Sequence, residues 1–140
     1  MVLVLAACGQ GNTDSPTSSS QSTPVVGDVT LTRSGGFAGS TTTVIVSPDG
    51  VATVTDDVTG QREVVVPAAQ LEALHRMVAS PEFADLLETY VPAEGVCCDF
   101  FFYDVTAEVG DRTIKSATAD TVDTPAILQE VIDLLTGLIP

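Results

Sequence analysis

The chain has 140 residues, with 19 acidic against 5 basic side chains and a net charge of -14. Hydrophobic residues make up 44% and charged residues 17%, enough apolar material for one packed domain and too much for a wholly disordered chain. A surface this acidic repels phosphate backbones, which excludes nucleic acid as a partner. The acidity itself reads either as solubility in an extracytoplasmic or salty setting or as attraction to a basic patch on a partner. No stretch is long enough to span a bilayer.

Met1 to Ala7 are uncharged, mostly apolar and end in small residues. They read as the end of a signal peptide, one that lacks a basic opening region and is truncated at its start. The tetrapeptide Leu5-Ala6-Ala7-Cys8 resembles the bacterial lipobox. That resemblance implies cleavage before Cys8, acyl chains on its sulfur, and a place on the extracytoplasmic face of the cell membrane. Residues 9–24 are rich in Ser, Thr, Gly and Pro. Such a segment has almost nothing to bury against its ordering entropy, so it reads as a flexible tether spanning roughly 20–24 Å. The expected organisation is a signal remnant at 1–7, a lipidated Cys8 with its linker at 8–24, and a folded domain at 25–140.

Within the domain, the alternation from Asp28 to Arg33 predicts a half-buried strand with Val29 and Leu31 inward. Ser34 to Ser40 interrupts it, and the β-branched run Thr41–Val46 predicts a second strand. Pro48-Asp49-Gly50 is a turn, because proline presets φ while Asp and Gly tolerate the tight backbone. Val51–Thr55 returns antiparallel, Thr59-Gly60 turns again, and Arg62–Val66 makes a further short strand. Pro67 suits a first helical turn, with Leu71, Leu74 and Val78 on one stripe and Met77 beside it. Ser80-Pro81 predicts the cap and first turn of a second helix whose apolar side is Phe83, Leu86, Leu87 and Tyr90. Asp99–Val109 is the clearest strand, placing Phe101, Tyr103, Val105, Ala107 and Val109 on one face. Arg112–Thr118 pairs back, and Thr124-Pro125 caps a last helix with the stripe Leu128, Val131, Ile132, Leu135 and Leu138. Strands, helices, a hairpin and a helix in that order predict an α+β domain: an antiparallel sheet with two or three helices packed on one face.

No catalytic set is visible, so an enzyme is not expected. His75 is the only histidine, and alone on a helix it reads as structural or solvated. Asp56-Asp57 and Asp120/Asp123 lack the spacing of a calcium loop and read as solvated acidic turns. No metal or cofactor is expected. Cys97 and Cys98 are adjacent. A vicinal disulfide would be strained, because neighbouring side chains diverge, and two buried reduced thiols are the alternative; intermolecular pairing is a third. Gly35, Gly36, Phe37, Ala38 and Gly39 form the most suggestive segment. Three glycines in five residues allow unusual backbone and close approach. Phe37 either folds back into the core or is an apolar anchor offered to a partner's pocket.

The heptapeptide Arg33-Ser34-Gly35-Gly36-Phe37-Ala38-Gly39 resembles the N-terminal hallmark of the emfourin family, protein inhibitors of thermolysin-like (M4) metallopeptidases such as protealysin. The likeness runs from about Val29 to Leu138. It includes the Leu-rich helical stretch Leu71–Leu87, then Asp99, Phe102 and Tyr103 opening a strand, and the C-terminal helix after Pro125. The chain departs from that pattern in its tether, in the turn-rich stretch Ser47–Gln61 and in the Cys97-Cys98 pair. The resemblance implies an inhibitor that occupies the cleft of a zinc peptidase, with Gly35 to Gly39 at the contact. Such peptidases favour a large apolar residue just after the cleaved bond, and Phe37 is one. The alternative is a non-enzymatic envelope binding or assembly lipoprotein with no protease target.

Overall fold

A computed structural model describes residues 22–95 and 99–140. The strands are β1 (Val26–Gly35), β2 (Ser40–Val46), β3 (Val51–Asp56), β4 (Gly60–Val65), β5 (Phe101–Val109) and β6 (Arg112–Ala119). The helices are α1 (Ala68–Val78), α2 (Pro81–Ala84) and α3 (Ala126–Thr136). All six strands join one antiparallel sheet in the order β4-β3-β2-β1-β5-β6. The fold is α+β.

Alternation makes the sheet two-sided. Val29 and Leu31 of β1 sit opposite Val46 and Val44 of β2 and opposite Ala107 and Val105 of β5, and all six are buried. Val54 and Ala52 continue the face across β3, and Ile114 across β6. The other face carries hydroxyls: Thr32, Thr43 and Thr55 line up across β1, β2 and β3. An antiparallel sheet tolerates water on one face, and threonine there keeps the β-branched shape that suits a strand.

The helices cover the apolar face. Leu74 and Val78 of α1, Phe83 of α2, and Leu128, Val131, Ile132 and Leu135 of α3 belong to the same buried cluster as the strand residues. Phe83 is the largest side chain that is fully buried. Burial of each such side chain contributes about 1.5–3 kcal/mol. No helix among the described residues is long and apolar enough to cross a membrane.

Two local expectations are corrected. The second helix ends at Ala84 instead of running to Tyr90. Ser80 caps it as expected, its Oγ accepting from the Phe83 N–H at 3.2 Å. Beyond it, the edge of β6 captures the chain. The Ser116 hydroxyl donates to the Leu87 carbonyl, the Ala117 N–H to the Glu88 carbonyl, and the Tyr90 N–H to the Ala117 carbonyl. A helix to Tyr90 would leave those edge groups without these partners. Leu87, expected on the apolar side, is instead exposed. The second correction concerns Thr124, whose hydroxyl does not cap α3. It lies 2.6 Å from the Thr118 hydroxyl and bonds the Val122 carbonyl, and α3 starts from Pro125 with no side-chain cap.

Candidate functional site

Antiparallel pairing decides which loops share an end. β1 ends where β2 begins, at Gly35 opposite Ser40; β3 ends where β4 begins, at Asp56 opposite Gly60. Phe101 of β5 sits opposite Gly35, and Ala119 of β6 opposite Phe102. The β1–β2 turn, the β3–β4 turn, the start of β5 and the end of β6 therefore lie together at one end of the sheet. The described chain enters at the other end, where the Val25 carbonyl accepts from Gly110 N–H beside the β5–β6 turn. Ten residues of β1 separate the two ends, about 30 Å at strand rise.

Gly39 N–H donates to the Gly36 carbonyl at 3.0 Å, closing a turn with Phe37 and Ala38 at its centre. Gly36 and Gly39 have φ of +70° and +63°, values that a side chain resists and glycine does not. Phe37 is 94% exposed. Of the two readings open to it, folding into the core is the one the structure does not adopt. Ala38 and Gly39 are exposed with it, while Gly35 and Gly36 are half-buried at the base.

The base is rigid for identifiable reasons. Gly36 N–H donates to the Phe100 carbonyl at 3.0 Å. The Phe101 ring lies directly against Gly36, so that a Cβ there would fall 2.7 Å from the ring's Cζ. The Arg33 guanidinium carbon is 3.6 Å from the centroid of the same ring. Asp120 holds the strand that carries it: Oδ2 accepts from the Phe101 N–H and Oδ1 from the Tyr103 hydroxyl, both at 3.1 Å. Burial raises the Tyr103 pKa, and the bond to Asp120 adds to the shift, so the phenol stays a donor. Nothing in the sequence joins Arg33, Phe101, Tyr103 and Asp120 into one group. Their association depends on the β1–β5 register, which local pattern does not encode.

The neighbouring β3–β4 turn is organised by Asp56. Its Oδ1 accepts from the N–H groups of Val58 and Thr59 at 2.9 Å each, and its Oδ2 from the Thr42 hydroxyl at 2.7 Å. These donors, Thr42 first, hold its pKa down at about 2. Asp56 and Asp57 thus serve turn geometry. Asp120 and Asp123 stand apart from that pair, on the loop that follows β6.

Among the described residues no group of three or more His, Cys, Asp or Glu converges in a way that could hold a metal ion. His75 is half-buried on α1, where it lines a cavity of about 600 Å³ with Glu72, Arg76 and the entering segment Thr23–Val26. Cys8, Cys97 and Cys98, with the signal remnant and most of the linker, lie outside the described residues.

No protein-family model matches the chain, and no curated protein matches it either.

Proposed function

We propose that the protein is a lipid-anchored, extracytoplasmic inhibitor of thermolysin-like zinc metallopeptidases that presents the Gly35–Gly39 turn to the active-site cleft. The observation that carries the reading is Phe37: a large apolar side chain, 94% exposed, at the tip of a narrow glycine turn with a braced base. A phenylalanine lifted clear of the core on a slim turn suits an anchor in a partner's pocket. The resemblance of residues 33–39 to the emfourin hallmark names the partner class.

The geometry fits a binding inhibitor. A slim turn enters a cleft, the apolar ring fills the subsite beyond the scissile position, and the braced base keeps the peptide from relaxing into a reactive pose. Little ordering cost remains to be met on binding, which favours affinity. The anchor supports the same reading. Acyl chains on Cys8 would hold the entry end near the membrane, and the Phe37 turn points from the opposite end, about 30 Å away along β1.

Inhibition assays with thermolysin-like peptidases, comparing the wild type with Phe37→Ala, test the proposal. The wild type inhibits and Phe37→Ala loses about thirtyfold or more in potency, the loss of a central anchor. No inhibition by the wild type refutes the function; equal potency of the two removes Phe37 from it. The anchor has its own test: palmitate labels the wild-type chain in cells and not Cys8→Ser.

A further inference from the structure

Phe37 is not alone at its end of the sheet. Val58, at the tip of the β3–β4 turn, is 78% exposed. We infer that Val58 is a second contact for the peptidase, so that the inhibitor grips its target with two adjacent turns. The inference rests on the function proposed above and extends it to the stretch Ser47–Gln61.

The two turns are physically joined. Thr41, just after the Phe37 turn, donates its N–H to Asp57 Oδ2 at 2.9 Å, and Asp57 N–H returns a bond to the Thr41 carbonyl at 3.2 Å. The Thr42 hydroxyl bonds Asp56 one position further along. The β3–β4 turn is therefore fixed to the strand that carries the first turn. Adjacent strands are about 4.8 Å apart, so hairpins centred two strands apart place their tips about 10 Å from each other. That distance equals about three residues of extended peptide. With Phe37 seated in the cleft, Val58 reaches a position some three residues along, or the rim beside it.

Asp56 braces the Val58 turn as the Phe101 ring braces Gly36 at the foot of the Phe37 turn. It ties the Val58 and Thr59 amides into one carboxylate and leaves the apolar side chain pointing at water. A turn with no recognition role needs no valine at its tip; polar and glycine residues dominate such positions. The end also carries acidic groups at Asp57, Asp120 and Asp123, while its one basic residue between β1 and the β1–β2 turn, Arg33, lies against Phe101. Two apolar tips set among carboxylates suit a cleft with apolar subsites and a basic rim.

Val65 supplies the control, since it is another valine, 80% exposed, at the opposite end of the sheet. Inhibition constants are measured for the wild type, Val58→Ala, Val65→Ala and Phe37→Ala against one thermolysin-like peptidase, with thermal unfolding recorded for each. The expected result is a loss of about fivefold for Val58→Ala, from partial burial of its two methyl groups, with Val65→Ala at the wild-type value and melting temperatures unchanged. Wild-type inhibition with Val58→Ala equipotent overturns the second contact and leaves the Phe37 reading standing. Equal losses in Val58→Ala and Val65→Ala overturn it as well, because the effect is then not confined to one end. Absence of inhibition by the wild type overturns both proposals.

Discussion

Arg33 covers the Phe101 ring at 3.6 Å from its centroid, and the same ring supports Gly36 at the foot of the Phe37 turn. Arg33 Nε is buried and makes no hydrogen bond among the described residues. The guanidinium is half-buried, so its stacking on the ring falls between the exposed and the desolvated range of cation–π attraction. A double-mutant cycle with Arg33→Met and Phe101→Leu, read by urea unfolding, is expected to give a coupling of about 1 kcal/mol. Additive effects would show that the two side chains merely share a neighbourhood.

Glycine is needed unequally along the turn. A Cβ on Gly35, at φ of +110°, would run into the Phe100 carbonyl, whereas one on Gly39, at +63°, meets nothing within 4 Å. Gly39→Ala should therefore cost only the left-handed penalty of about 1–2 kcal/mol. Gly35→Ala adds a backbone clash and should cost more, shifting β1 against β5. Chemical denaturation of both variants ranks them, and a larger loss at Gly39 would contradict this placement of the turn.

The contrast between these two glycines marks how far the sequence could be read. Alternation placed Val29 and Leu31 inward and Phe101 to Val109 on one face, because a half-buried strand writes its period directly into the residues. It could not reach the β1–β5 pairing that sets Arg33 beside Phe101, since those residues are far apart in the chain and chosen by register. The early end of α2 was hidden for a related reason: Leu86, Leu87 and Tyr90 have helical spacing, and only the edge of β6, distant in sequence, draws them away. At Phe37 the composition left core and solvent equally open, and in the turn closed by the bond from Gly39 to Gly36 the ring faces solvent.

The core should respond through Phe83. It comes from a helix of four residues, yet it is fully buried among α1, α3 and the sheet. Phe83→Ala is expected to cost about 3–5 kcal/mol, a large part of the stability of a domain this size. Ser80→Ala, which removes only the cap on the Phe83 amide, should cost about 1 kcal/mol. Denaturant midpoints compare the two, and near-equal losses would mean that Phe83 is held in place mainly by its cap.

Asp56 gives the β3–β4 turn an acid sensitivity with a definite sign. Its folded pKa, about 2, lies below the ordinary carboxylate value of about 3.9. A depressed pKa means that the native state favours the ionised form, so the stabilisation is present above the ordinary value and is lost as pH falls through the folded one. The carboxylate is solvent-exposed, so the effect is modest and weakened by salt. Asp56→Ala should therefore be less stable than the wild type at neutral pH, and the gap should close as pH falls from about 4 toward 2. Unfolding curves of both proteins across that interval, at low and high salt, measure the gap. A gap that stays constant with pH would show that the turn does not depend on the charge of Asp56.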